Sequence, residues 1–279
     1  MPPLDLSRLE CPSFAFRPDE WTEAFQTGLQ KDGLTGQEVF EVGVGTGVNA
    51  HFALSRLQVT RFFGADLDER LLPVARRNVD RALSPELAAR FSAIEGSTDL
   101  LTSEAAIAIV RERVRVVIAC IPQALRPKGV PEHPDDIAHY YPEEPFRKYP
   151  FNRFALGLNE ALLRQFYELI QQAQDPSSKY IILNLGGRVG RKVLLDLFRT
   201  NGLVPHILHE QMIPQCPTTH LDFFVKLERT GTPCEFFSDA EGQLPITAAT
   251  AEARRLEEQS VFHKIYVIKG TLKTQSDIS

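Results

Sequence analysis

Two features of the sequence predict a doubly wound α/β fold on a mostly parallel sheet: short apolar runs alternate with amphipathic stretches, and a glycine-rich turn joins the first run to the first helix. No internal repeat or low-complexity tract interrupts that order. The expected strands are residues 38–43, 59–66, 92–95, 115–119, 180–185, 203–209 and 221–228. Apolar positions at helical spacing predict helices over 49–57, 69–81, 104–111, 154–172 and 190–200, the second of them capped by Asp68. Ahead of this core (36–228), residues 1–35 form an N-terminal helical segment. Residues 124–152 hold Pro127, Pro131, Pro134, Pro142, Pro145 and Pro150, too many for a helix or central strand, so this stretch is expected to be a lid or binding loop. Residues 229–279 are expected to be an extension of the same domain, with a helix near 247–259 and a strand near 262–269 appended to the sheet.

Composition narrows the function classes. Among 279 residues, 43% are hydrophobic and 24% charged, which excludes a disordered polymer. No apolar run approaches the roughly 18 residues of a membrane span, and the N-terminus lacks a basic and apolar leader. The net charge of −5 disfavours a nucleic-acid partner and leaves a small molecule as the expected one. Cys11, Cys120, Cys216 and Cys234 show no CxxC spacing, which points away from a metal site or disulfide framework and towards a reducing, cytoplasmic compartment. His206 and His209 are three apart on an expected strand, so they point to opposite faces and are not read as a chelating pair.

The strongest local signal is Glu41-Val42-Gly43-Val44-Gly45-Thr46-Gly47 between the first strand and first helix. Glycines there permit a tight turn and close approach of a ligand to backbone N–H groups. A dinucleotide fingerprint places its third glycine three residues after the second, whereas Gly47 follows Gly45 by two. An acid near the end of the first strand, Glu41, and a second ending the next, Asp66, are what a ligand with an amino-acid tail and a ribose requires. The ordinary alternative is a tight βα turn with a capping Asp.

On these residues the chain resembles the class I S-adenosylmethionine-dependent methyltransferases, whose fold is Rossmann-like. The resemblance implies S-adenosyl-L-methionine as cofactor, its methionine part against Gly43, Gly45 and Gly47 beside Glu41 and Asn49. Its ribose would lie on Asp66, next to Leu67. In Gly96-Ser97-Thr98-Asp99-Leu100-Leu101, Asp99 and Leu100 would lie near the adenine. The run Phe16-Arg17-Pro18-Asp19-Glu20-Trp21 would cover the cofactor, through Arg17 and Trp21.

After the fourth strand stands Cys120-Ile121-Pro122-Gln123, where methyltransferases of this layout hold the acceptor. Enzymes that methylate amide or adenine nitrogen use Asn-Pro-Pro-aromatic here. Cys120 is a poor acceptor beside Asn, and Gln123 replaces the stacking ring, so a planar amide is disfavoured. The carbonyl presented through rigid Pro122 suits a nucleophile with no proton to lose, such as a thioether. Aromatic faces from Tyr140, Tyr141, Phe146 and Tyr149 would favour a cationic product. This motif, Asp19-Glu20-Trp21 with Phe25, Gly28 and Leu29, the run Arg153 to Leu158, the run Asn184 to Gly190, and Glu235-Phe236-Phe237 all resemble, in order, the methyltransferase region of the methionine S-methyltransferases. The plant enzymes carry a long aminotransferase-like region downstream, so the resemblance implies a stand-alone, bacterial-type form. It also implies methyl transfer to L-methionine to give S-methyl-L-methionine. Cys120, Pro122, Gln123, Tyr141, Asn184 and Arg188 are the candidate catalytic residues, with Arg188 holding the substrate carboxylate after the fifth strand. Arg147 and Arg153 stand in reserve, and homo-oligomerisation is left open. The rival expectations are N-methylation of a glutamine amide or another small amino acid, and a non-catalytic cofactor-binding module.

Overall fold

The computed structural model describes residues 9–95, 100–126, 138–217 and 219–273. Helix α1 (Glu20–Asp32) precedes an alternating core: β1 (Glu38–Val42), α2 (Val48–Arg56), β2 (Arg61–Ala65), α3 (Leu71–Ala82), the short α4 (Pro85–Ala88), β3 (Phe91–Ala93), α5 (Glu104–Glu112), β4 (Val116–Ala119), α6 (Gly157–Ile170), β5 (Tyr180–Gly186) and α7 (Arg191–Thr200). The chain then forms β6 (Leu203–Pro214), α8 (Asp222–Arg229), β7 (Phe236–Phe237), β8 (Pro245–Ile246), α9 (Ala248–Leu256) and β9 (Phe262–Leu272). Strands β3, β2, β1, β4 and β5 pair in that order, all parallel. β9 then runs antiparallel between β5 and β6.

Parallel strands buried on both faces read as continuous apolar runs. In β1, Phe40 and Val42 enter the core on one face of the sheet while Val39 enters the core on the other. Glu41 falls on the Val39 side of this alternation, so the fold carries an acid into an apolar layer at the strand's end. Helix α1 lies close against β9 at Gly28, where a Cβ would clash with the Val267 side chain. No helix among the described residues is long and apolar enough to cross a membrane.

Three details differ from the sequence expectations. The stretch 221–228 is a helix, α8, and not a strand. Leu221, Phe223, Val225 and Leu227 satisfy a period of two, but Leu221 and Phe224 are the buried pair, and Phe224 packs edge-on against Phe236 at 5.6 Å. Asp68 does not cap α3, which starts at Leu71 after Arg70; its carboxylate accepts from the Arg70 N–H at 3.1 Å and pairs with that guanidinium at 2.7 Å. β6 extends to Pro214 and shifts register between Ile207 and His209, so strict alternation does not relate His206 to His209. Instead His209 Nδ1 meets Lys31 Nζ at 2.9 Å and His206 Nε2 meets Thr271 at 3.5 Å. In the described part of 124–152 the expected loop also holds short ordered elements: Glu144–Phe146 and Pro150–Phe154 are 3-10 turns, and Tyr141, Phe146 and Phe151 are buried. Pro127, Pro131 and Pro134 lie outside the described residues.

Candidate cofactor and acceptor site

The carboxyl ends of β1, β2 and β4 open on a cleft of about 250 Å³, at the point where strand order reverses beside β1. Gly43, Gly45 and Gly47 all have positive φ (78°, 54° and 79°), a conformation costly for other residues. The Gly43 and Val44 N–H groups donate to the Ala65 carbonyl at 2.9 and 3.0 Å, which ties the turn to β2. A Cβ on Gly45 would meet nothing within 4 Å, so the turn leaves open space on the cleft side. Gly47 has a second reason: a Cβ there would stand 3.1 Å from Ala75 of α3.

Two buried acids face this turn. Glu41 accepts from Asn49 Nδ2 at 2.8 Å through Oε1, while Oε2 is buried without a partner. Burial pushes its carboxyl up to about 8. Asp66 accepts from the Gly45 N–H at 2.8 Å and the Asp68 N–H at 3.0 Å, and burial still pushes it up to about 6. An ammonium beside Glu41 and ribose hydroxyls on Asp66 would satisfy this pair, so the residues fit a nucleoside bearing an amino-acid tail.

The opposite wall comes from Cys120, Ile121, Pro122, Tyr140, Tyr141 and Phe146. Burial pushes the Cys120 thiol up to about 12, and its sulfur receives Asn184 Nδ2 at 3.5 Å. Asn184 Nδ2 also donates to the Trp21 carbonyl at 2.9 Å, and its Oδ1 is buried without a partner. Gln123 is clamped to β5, donating to the Asn184 carbonyl and accepting from the Gly186 N–H, both at 2.8 Å. The Tyr141 hydroxyl donates to Asn152 Oδ1 at 2.9 Å and accepts from the Gly157 N–H at 3.0 Å.

Residues 40–130 match the family described as "Methyltransferase domain". Over residues 40–130 the chain carries a methyltransferase domain, which implies S-adenosylmethionine as its cofactor. The domain is 26% identical to the methionine S-methyltransferase of Hordeum vulgare and 26% identical to that of Zea mays, each alignment covering 98% of this chain. The chain spans 26% of the length of each of these relatives. A solved structure of a proposed methyltransferase from Bacillus halodurans shares the fold, with TM-score 0.51 and 12% identity, covering 90% of this chain and 100% of that one.

Only some of the expected residues line the methyltransferase domain's cleft, and Glu41, Gly47 and Asn184 are not among them. Gly43, Gly45, Asp66, Leu67, Leu100, Cys120, Pro122 and Tyr141 line it, and Asn49 supports it by holding Glu41. Arg17 is exposed and does not line it, nor does Trp21; Phe14 and Phe16 supply that wall instead. Ser13 to Ala15 form a turn, closed by the Ala15 N–H donating to the Pro12 carbonyl at 3.0 Å, so no sequence periodicity marked these two side chains. Gln123 and the Tyr141 hydroxyl are spent on the scaffold, and the Pro122 carbonyl accepts from Asn159 Nδ2 at 3.4 Å. Asp99 lies outside the described residues. Arg153 stacks on Phe154 and Arg147 pairs with Glu144, both at the surface. Arg188 does not line the cleft either: its Nε donates to Gln215 at 2.9 Å, and its guanidinium lies 5.5 Å from Trp21 and 5.7 Å from Phe224.

Proposed function

We propose that this domain transfers a methyl group to the thioether sulfur of L-methionine, giving S-methyl-L-methionine. One observation carries the reading: among the described residues lining the cleft there is no histidine, lysine or glutamate, and its two carboxylates are engaged elsewhere, Asp66 with the Gly45 and Asp68 N–H groups and Asp68 with Arg70. Cys120 is held as a thiol by burial, and Tyr141 has its hydroxyl engaged on both sides. An amide, amine or hydroxyl acceptor must lose a proton during transfer, whereas a thioether has none to lose. S-adenosylmethionine, when bound, supplies a methyl group on positively charged sulfur. The chain's own residues then have three tasks. The 43–47 turn and Asp66 hold the cofactor, the Cys120–Pro122 wall aligns the acceptor, and Phe14, Phe16, Tyr140 and Tyr141 exclude water. The aromatic faces also favour the positive charge that the product sulfur carries. The names of the barley and maize relatives support the same acceptor.

The unpartnered Asn184 Oδ1 favours a second reading, since it would accept an N–H from a glutamine amide or another small amino acid. Incubating the pure protein with cofactor and a pool of free amino acids, followed by mass spectrometry, separates the two. A mass gain of one methyl on methionine is the expected outcome. Methylated glutamine with untouched methionine would overturn the proposal, and cofactor binding with no methylated product would indicate a module without transfer.

A further inference from the structure

Beside the cleft stands a polar group that the scaffold leaves unfinished. His263, on β9, is wholly buried, and both of its ring nitrogens are without a hydrogen-bond partner. Its ring lies 5.9 Å from that of Trp21. On the same indole rests the Arg188 guanidinium, and no carboxylate among the described residues pairs with it. Among the described residues its one hydrogen bond is to neutral Gln215, itself buried and tied by its backbone N–H to the Val261 carbonyl at 2.7 Å. Burial depresses the guanidinium to about 10, and the imidazole is pulled well below its ordinary range by burial and by Arg188.

These are costly features to keep. A half-buried cation without a counter-charge gives up part of its hydration, which two aromatic faces and one neutral acceptor only partly offset. A neutral imidazole with both nitrogens unpaired adds a donor and an acceptor that water cannot reach. The group also adjoins the acceptor wall. Trp21 lies against Gly186, where a Cβ would be 2.8 Å from the indole, and the Gly186 N–H donates to Gln123 of the acceptor motif.

We infer that Arg188 and His263, sharing the Trp21 ring, form the recognition site for the carboxylate of a free amino-acid acceptor. Arg188 supplies the positive charge and its amino groups, and neutral His263 supplies one ring N–H. The second imidazole nitrogen is left as an acceptor for the substrate's ammonium group or a water. Asn184 Oδ1, unpartnered, belongs to a side chain whose Nδ2 bonds both the Trp21 carbonyl and the cleft-lining Cys120 sulfur, and adds a further acceptor. The inference rests on the reading that the acceptor is an amino acid, but not on which one.

Trp21 is the only tryptophan in the chain, so its emission reports on this group directly. The cofactor-bound protein is titrated with L-methionine, L-glutamine and L-methioninol, the last retaining the thioether and ammonium while lacking the carboxylate. A saturable change with an amino acid, and an affinity weaker by about tenfold or more for methioninol, is the expected result. Arg188→Met should remove that preference while keeping or raising the unfolding temperature, because it relieves a half-buried charge that has no counter-charge among the described residues; an Arg188 of merely structural role would lower it. His263→Leu should weaken amino-acid binding without changing cofactor affinity. A response to glutamine but not methionine leaves the carboxylate site standing and overturns the methionine reading. Equal responses to methionine and methioninol, or no response to either amino acid, overturn the carboxylate site itself, and this comparison on the unaltered protein needs no variant.

Discussion

At Glu41 two demands meet: strand alternation turns the carboxyl into an apolar layer, yet only one of its oxygens is bonded. Its carboxyl titrates near 8 in the folded chain against 4.5 for an unperturbed glutamate, because burial penalises the charged form. A folded-state value raised in this way contributes stability that is full below the unfolded pKa and is lost as pH rises through the folded one. Asp66, raised from 3.8 to about 6, adds in the same direction at lower pH. The cofactor-free protein is therefore expected to unfold at lower temperature at pH 8 than at pH 5, as scanning calorimetry would record. Glu41→Gln should flatten the upper part of that profile and weaken cofactor binding by about tenfold or more, the scale of one charge-assisted hydrogen bond. An unchanged profile would show that Glu41 is ionised without penalty. The acid was legible in the sequence from its place before the glycines; its orphaned oxygen was not, because that depends on which neighbour, Asn49, reaches it.

Among elements, the end of β5 couples the sheet to α1. Gly186 leaves room for the Trp21 ring, and Asn184 holds the Trp21 carbonyl at 2.9 Å. Gly186→Ala is expected to cost about 1–3 kcal/mol through overpacking and to shift Trp21 emission, whereas the same substitution at exposed Gly33 meets no atom within 4 Å. Denaturant unfolding of the two variants checks this, with the Gly33 variant showing only the cost of its left-handed backbone at φ 75°. The parallel strands and their helices were readable because each satisfies only one periodicity over its length. The stretch from Leu221 to Leu227 satisfies two, and packing of Phe224 on Phe236 decides between them. Similarly, prolines argue against a long helix between β4 and α6, and in the described part of that segment Tyr141, Phe146 and Phe151 fold onto the core beside short turns.

For the molecule as a whole, β9 matters more than its position near the end of the chain suggests. It pairs with β5 over Tyr180–Gly186 and with β6 along the full length of that strand, so removing it exposes one edge and strands the other. A chain cut after residue 259 is expected to lose cooperative thermal unfolding, which circular dichroism would reveal; a sharp transition near that of the full chain would contradict it. The same strand carries His263 to Trp21, and through it the last third of the sequence reaches the acceptor wall. The sequence by itself determined the alternating layers, the glycine turn with its two acids, and the Cys120–Pro122 segment that lines the cleft, because each is written in residues close together along the chain. Only the tertiary structure decided that Gln123 serves the scaffold, that Phe14 and Phe16 line the cleft in place of Arg17, and that Arg188 meets His263. Those relations join residues distant in sequence, and burial and unpaired polar atoms exist only once the chain has folded around them.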